Sequence, residues 1–289
     1  MRRARQPWLA LALSFLAILP ACEKEPVYSQ ATPEATLRSA RDMVRDGHAD
    51  KLATLIHTDD PEMRLVLDRL GICFKNSQKL ALAIDQNFPA EVATLKEQIR
   101  KDAESGGAAK LMSAITRSQS NARRGPTPKE GSQQRQDFDD SFKRLFVDPY
   151  GWLEEADARL TTAYVDDETV SLRWDKKPIL PPIGISLKQA DDGNWYFVLP
   201  LHLPVISKYA PRTPAEFQIL RSMVAVVNNL IVDLRLDIEQ GRITNLDALA
   251  RTAGEKAFMP AAMVFYAYTK AVEERKKTPA VQPAPGGSK

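Results

Sequence analysis

One segment near the C-terminus constrains the fold more than any other. Thr213-Pro214-Ala215-Glu216 is a helix-start signal: the Thr caps, the Pro takes the first turn, and the Glu favours the positive end of the helix dipole. Apolar residues then step by three and four: Phe217, Leu220, Val224, Val227, Ile231, Leu234 and Ile238. A second apolar seam follows beside them: Ile219, Met223, Val226 and Leu230. A helix with so wide an apolar face has to be packed between two neighbours.

Helical signals continue on both sides of this segment. Gly241 is expected to end the apolar helix, and further helices are predicted from Asn245 to Ala257 and from Pro260 to about Lys276. The C-terminal helices therefore occupy about 213–277. Toward the N-terminus, Thr32-Pro33-Glu34 and Asp60-Pro61 repeat the helix-start signal.

Two glycines in the N-terminal part are expected to mark helix ends. Gly47 is expected to end the helix that begins at Pro33, and a second helix is predicted to begin near Asp50. Gly71 is expected to interrupt the helix that begins at Pro61. A separate helix is then predicted over Ser77 to Asn87.

The hydrophobic period changes from 3.6 to 2 between about 159 and 204. Val170, Leu172 and Trp174 alternate with polar residues, Asp192-Gly193 is a turn, and Trp195 begins a long strand predicted to reach Leu203. The pattern predicts a four-stranded antiparallel meander. The fold class is therefore α+β: N-terminal helices, the meander, then long C-terminal helices.

The first residues form an export signal. Arg2, Arg3 and Arg5 are the only charged residues before Glu23, and an uncharged apolar stretch of Trp8 to Leu19 follows them. That stretch is too short to cross a bilayer, which needs roughly 20 apolar residues, and it fits the apolar region of a signal peptide. Residues 1–21 are therefore predicted to be a signal peptide.

Leu19-Pro20-Ala21-Cys22 resembles the lipobox of bacterial lipoproteins. Pro20 departs from the small residue usual there, while Leu19, Ala21 and Cys22 match. The resemblance implies that Cys22 receives the lipid, including a palmitate-type acyl chain, and becomes the first residue after cleavage. It also implies a location in the cell envelope, on the periplasmic face of a membrane. In enterobacterial lipoproteins, Asp after the lipidated Cys favours retention in the inner membrane; by that analogy Glu23 favours the outer membrane.

The rest of the chain divides by composition. Residues 22–32 are predicted to be a tether and 33–277 an α+β domain. Within that domain, 118–136 is a polar stretch expected to be a mobile loop, and 278–289 is a Pro/Gly/Ala-rich tail expected to be disordered.

Two N-terminal helices broken by a glycine, followed by strands with a polar turn, resemble the nuclear-transport-factor-2-like (cystatin-like cone) superfamily. The resemblance rests on residues 40–47, on 52–56, and on the Asp-Gly-Asn-Trp-Tyr-Phe run of 192–197. It implies a curved sheet wrapped over helices around a pocket. The candidate pocket residues are Tyr164, Trp174, Trp195, Phe197 and His202. The alternative is that these aromatic residues form an ordinary sheet core.

Catalytic chemistry is sparse in this sequence. His57 with Asp59 and Asp60 could form a base with its carboxylate, or a helix end followed by a cap. Asp233 and Asp237 lie one helical turn apart, yet no His or third carboxylate beyond Glu239 obviously joins them at a metal site. A solvated stripe of the long helix is the favoured interpretation of this pair. Cys73, within an apolar run, is interpreted as a buried small hydrophobe. No catalytic residue, metal or cofactor is assigned.

Polar residues also interrupt the apolar C-terminal helix. Asn228 and Asn229 lie at its centre, and a buried one is expected to form a local hydrogen bond.

Charge excludes one class of partner. The chain has 40 Lys and Arg against 37 Asp and Glu, and three of the basic residues belong to the predicted signal peptide. The remaining 37 basic residues balance the acidic ones. An even balance lacks the basic footprint of a nucleic-acid-binding protein.

The sequence therefore predicts a lipid-anchored envelope protein with a non-catalytic role. It would bind a partner protein or small apolar ligand, or act as a structural or assembly factor, and it would contact the membrane through the lipid on Cys22. Two alternatives stay open. One is a cone-pocket enzyme of isomerase or cyclase type, which would need Tyr164, Asp175 or His202 to point inward. The other is a helical protein-interaction module.

Overall fold

The chain folds as helices packed beside a sheet, which confirms the α+β class. The structure, a computed structural model, describes residues 26–104, 143–151, 153, 159–178, 185–201 and 204–277. Residues 1–21, Cys22, 118–136, His202 and 278–289 lie outside the described residues.

The helices and strands follow in chain order. The helices are α1 (Pro33–Arg45), α2 (Pro61–Asn87), α3 (Pro89–Glu104), α4 (Pro204–Ser207), α5 (Pro214–Glu239) and α6 (Leu246–Lys277). The strands are β1 (Ile56–His57), β2 (Leu160–Tyr164), β3 (Thr169–Trp174), β4 (Lys177–Pro178), β5 (Ser186–Gln189) and β6 (Trp195–Val198). The second predicted helix is a 3₁₀ helix over Ala49–Leu55.

Three predicted helix starts, at Thr32, Asp60 and Thr213, are confirmed by their caps. The Thr32 hydroxyl accepts a hydrogen bond from the Ala35 amide at 3.0 Å, and the Asp60 carboxylate accepts one from the Glu62 amide at 2.8 Å. Thr213 and Glu216 form a capping box at the start of α5. Each such cap is typically worth about 1 kcal/mol, because it satisfies amides that have no partner inside the helix.

The sheet is mixed, whereas the sequence predicted a purely antiparallel one. Its order is β1-β6-β5-β3-β2, with β4 paired to β3. Strands β2, β3, β5 and β6 form the predicted antiparallel meander. The two-residue β1 adds a parallel edge, with Ile56 beside Phe197. It lies there because it directly follows the 3₁₀ helix, whose Leu55 is buried in a cluster with Ala40 and Met43 of α1.

The last strand is shorter than predicted. It ends at Val198 rather than Leu203, and Pro204 begins the short helix α4. Pro200 has no amide hydrogen to donate to a neighbouring strand, and Pro204 is well suited to a first helical turn.

The sheet packs its aromatic and branched residues against α1. Val170, Leu172, Leu187 and Trp195 form a buried cluster, against which Leu37 of α1 packs. The Trp195 carbonyl also accepts hydrogen bonds from the Thr36 hydroxyl at 3.0 Å and the Gln30 side chain at 2.9 Å. The chain before α1 is thereby fixed to β6.

The larger core lies among α2, α5 and α6. Leu80 and Ile84 of α2, Leu234 and Ile238 of α5 and Leu249 of α6 belong to one buried cluster. Burying each such side chain typically contributes about 1.5–3 kcal/mol. The predicted position of α5 between two neighbours is confirmed, since α2 packs on one side of it and α6 on another.

Gly71 does not interrupt α2, which runs unbroken from Pro61 to Asn87. A Cβ atom at position 71 would lie 2.6 Å from the carbonyl oxygen of Asp50 in the 3₁₀ helix. The glycine is therefore a contact point between two elements rather than a helix end, and the sequence alone does not separate these two uses.

Pro260 does not begin a new helix either. The two predicted helices, 245–257 and 260–276, are one helix, α6, with Pro260 in its interior. A proline there removes one backbone hydrogen bond and usually costs about 3 kcal/mol. Contacts with the rest of the protein on both sides of Pro260, described below, hold α6 together across it.

Gly71→Ala should lower the free energy of unfolding by about 1–3 kcal/mol, because the added methyl group overlaps the Asp50 carbonyl. The control is Gly254→Ala in α6, where nothing lies within 4 Å of the new Cβ. That change should raise the free energy of unfolding by about 0.5–1 kcal/mol, since alanine favours a helix. Urea unfolding of both variants measures the difference, and equal effects would contradict the close approach.

Candidate binding surface

Helix α6 is fixed to the body near its beginning by a buried carboxylate. Asp237 of α5 is 6% exposed, accepts a hydrogen bond from Lys256 of α6 at 2.7 Å, and pairs with Arg242 in the connecting loop. The hydrogen bond from Lys256, together with Arg242, holds the pKa of Asp237 below its ordinary value. This contact joins the end of α5 to the first half of α6.

A second buried carboxylate fixes the far end of α6. Glu216 is fully buried and its Oε2 accepts a hydrogen bond from Arg275 at 2.7 Å. Arg275 also donates to the Ala210 carbonyl at 3.1 Å, and the Tyr268 hydroxyl donates to the Tyr209 carbonyl. Burial raises the pKa of Tyr268, so its hydroxyl stays protonated as a donor.

Between these two attachments, α6 is apolar and exposed. Five large side chains there are between 61% and 70% exposed: Phe258, Met259, Met263, Phe265 and Tyr266. No charged residue occurs from Ala257 to Thr269. With about 200 Å² per side chain, these five expose roughly 600 Å² of mainly apolar surface. That is at the upper limit of the largest patch on a typical monomer, and such patches usually mark interaction sites.

One row of exposed residues follows a regular spacing along the helix. Seven exposed residues spaced by 4, 4, 3, 4, 4 and 3 share one face: Arg251, Glu255, Met259, Ala262, Tyr266, Lys270 and Glu273. An eleven-residue spacing of this kind stays on one side of an almost straight α-helix. We call this row the outer stripe of α6. It lies opposite the buried residues Ala253, Tyr268 and Val272, which face the body.

The neighbouring α5 is also unusually apolar. Of the helices among the described residues, α5 alone is both long enough and apolar enough, by length and composition, to cross a membrane. Its first seam packs inward at Phe217, Ile231 and Leu234, while the second seam, such as Met223 and Val226, is only partly covered. In this fold the helix packs on α2, and Glu216 and Asp237 lie buried near its two ends.

Four of the five candidate pocket residues lie on strands of the sheet. Trp195 and Phe197 belong to the hydrophobic cluster of the sheet. Tyr164 is 64% exposed, with its ring 6.1 Å from that of Trp195. Trp174 stacks beneath the Arg159 guanidinium, 5.1 Å from its ring centre. His202 is outside the described residues.

A separate cleft of about 320 Å³ opens between α1, α2, α3 and residues 147–153. Its walls include Arg41, Leu82, Lys96 and Tyr150, and it contains none of the candidate pocket residues. The Tyr150 hydroxyl donates to the Phe74 carbonyl at 2.7 Å. Because the Tyr150 hydroxyl already donates its hydrogen to the backbone of α2, we interpret this residue as a structural part of the cleft wall and not as a reactive group.

The other residues considered for chemistry lie at separate places. Asp60 caps α2, as the cap interpretation predicts, while His57 lies 3.4 Å from the exposed Asp59, the pairing that the base-with-carboxylate alternative predicts. Cys73 is a free, buried cysteine, and burial raises the pKa of its thiol, which keeps it protonated and a poor nucleophile. Asp237 binds basic side chains rather than pairing with Asp233.

Within the described residues, no three His, Cys, Asp or Glu side chains are grouped so that they could hold a metal ion.

Asn228 forms a contact that the sequence did not predict. Its Oδ1 accepts a hydrogen bond from the Asn76 amide at 2.7 Å, across the interface of α5 with α2. The expected bond was local to α5, whereas the observed one links two helices and helps fix their register.

No protein-family model, curated protein or solved structure matches this chain. The resemblances to lipoproteins and to the cone superfamily therefore stay predictions. The sequence points to the C-terminal helices as the best candidate for a partner surface, but it does not show which α6 residues are exposed, because the same apolar residues would suit a buried helix.

Arg275→Met should lower the free energy of unfolding by roughly 3–5 kcal/mol, because it leaves the Glu216 carboxylate buried without its cation. The double variant Glu216→Gln with Arg275→Met should lose clearly less, since glutamine can still accept from the amides at the start of α5. Thermal and urea unfolding measure both. If the double variant is less stable than Arg275→Met, the unpaired Glu216 carboxylate is not the cause of the stability loss in Arg275→Met.

The lowered pKa of Asp237 makes part of the free energy of unfolding depend on pH. This contribution is fully present above the ordinary aspartate pKa of about 4 and is lost as the pH falls through the folded-state value. Asp237→Asn should therefore be less stable at neutral pH and lose less stability below about pH 4 than the parent chain does. Asp233→Asn, an exposed aspartate one turn earlier, is the control and should follow the parent curve.

Proposed function

We propose that this protein is a lipid-anchored envelope protein that binds a protein partner through the exposed apolar surface of α6. The role is non-catalytic: a structural or assembly function at the periplasmic face of a membrane, with the outer membrane favoured. The lipid on Cys22 would be the membrane contact.

The observation that carries the binding role is the exposure of five large apolar side chains on a helix attached to the body on both sides of them: Phe258, Met259, Met263, Phe265 and Tyr266. A surface that is already fixed in place loses little conformational entropy on association. The polar groups considered for catalysis serve instead as caps, ion pairs or buried packing.

The anchor is supported by the N-terminal sequence and by where the tether meets the fold. Arg2, Arg3, the apolar stretch and Cys22 have the order of a lipoprotein signal. The chain is fixed to β6 at Gln30, where the Trp195 amide donates to the Gln30 carbonyl at 2.8 Å. Eight residues from Cys22 to Ser29 span at most about 28 Å, which would keep the domain close to the membrane.

Cys22→Ala should abolish labelling by a radioactive or clickable fatty acid and move the protein out of the membrane fraction. Only the Cys22 thiol can take the proposed lipid, because Cys73 is buried. Cys73→Ser is the matched control and should keep its label. Labelling that persists in Cys22→Ala would end the lipoprotein proposal.

A photo-crosslinking residue placed at Tyr266 should capture a protein partner in living cells. The control position is Tyr164, which is exposed to a similar degree but lies on the sheet. Adducts at position 266 and not at 164 are expected, with cell fractionation showing them at the membrane. No protein adduct at 266, or adducts only at 164, would contradict the proposed binding surface.

A further inference from the structure

The outer stripe of α6 has charges arranged symmetrically about its apolar centre. Starting from Ala262, Arg251 lies eleven residues before and Glu273 eleven residues after. Glu255 lies seven residues before and Lys270 eight residues after. All four side chains are exposed on the same face as Met259 and Tyr266.

We propose that the occupant of this surface is a second copy of the same chain, bound with the two α6 helices antiparallel and a two-fold axis near Ala262. In that arrangement Arg251 faces Glu273 of the second copy, and Glu255 faces Lys270 of the second copy. A two-fold contact is self-complementary by symmetry. A parallel pairing would instead place like charges together, which opposes binding.

The size of the surface suits such a dimer. Met259 and Tyr266 on the outer stripe, with Phe258, Met263 and Phe265 beside it, expose roughly 600 Å². The charged residues of the stripe add a polar rim, and a standard interface uses about 800 Å² from each partner. The small Ala262 at the centre lets two helices approach closely, and Tyr266 and Met259 lie beside it as aromatic and flexible apolar contacts.

The same charges disfavour a bilayer as the occupant. Helices that lie in a membrane interface carry Lys and Arg on their polar side, which attract anionic lipids. The outer stripe has two acidic and two basic residues, with no excess of either sign. The charges on the two sides of Ala262 have opposite signs at matching distances. They therefore complement a second stripe that lies antiparallel to the first.

This inference rests on the proposed binding role of α6 and gives the identity of its partner. The test uses the full chain in a mild detergent, with micelles in large excess over protein so that shared micelles do not imitate association. Light scattering, corrected for the bound detergent, should give a protein mass equal to the mass of two chains. Tyr266→Glu should reduce the protein to a monomer, because a charge then lies in the apolar centre.

Charge reversal tests the antiparallel pairing itself. Glu255→Lys and Lys270→Glu should each weaken the dimer about tenfold, since each change acts at two symmetric positions. The double variant Glu255→Lys with Lys270→Glu should restore the parent affinity, because the pair is re-formed with its signs exchanged. Lys79→Glu, an exposed charge reversal on α2, is the control and should have no effect.

Several results would overturn the inference. A monomeric parent chain, a dimer indifferent to Tyr266→Glu, or a charge swap that does not restore affinity would each do so. Cell crosslinks at Tyr266 to a different protein, with a monomer in solution, would leave the proposed function standing and remove only the dimer. Binding of Cys22→Ala to phosphatidylglycerol vesicles that needs Tyr266, again with a monomer in solution, would indicate lipid instead.

Discussion

The packing of α5 between α2 and α6 is the constraint on which the rest of the structure depends. Leu80, Leu234, Ile238 and Leu249 from the three helices meet in one buried cluster. Asn76 and Asn228 add a hydrogen bond that fixes how α2 and α5 are aligned. Helix α6 then packs along α5 and is joined to α3 and to the segment before α5 by hydrogen bonds from Leu246 and Tyr268.

Charged contacts then decide which part of α6 stays exposed. Asp237 with Lys256 and Glu216 with Arg275 attach the helix on either side of Pro260, and buried ion pairs of this kind are specific in geometry even where they add little stability. Residues 257–269, between these attachments, include no charged group and present large apolar side chains outward. The surface that supports the proposed function is therefore a consequence of where the two attachments lie.

The capping signals at three helix starts were reliable, whereas the uses of Gly71 and Pro260 depend on the folded structure and were not predicted. The caps at Thr32, Asp60 and Thr213 accept hydrogen bonds from amides two or three residues away. Their effect can therefore be predicted from the adjacent residues alone. Gly71 was misinterpreted as a helix end because its reason is the Asp50 carbonyl, a contact made only in the folded chain. The parallel strand β1 was missed for the same reason, since two residues carry no periodicity.

The sequence by itself determined the α+β class, the helix starts, the antiparallel meander and the apolar character of the C-terminal helices. These follow from hydrophobic period and from capping, which act over a few residues. Only the tertiary structure decided that the sheet aromatics Trp195 and Phe197 pack into a core and that Phe258 and Tyr266 remain outside. An apolar residue has the same character in either place, and whether it is covered depends on which other elements reach it.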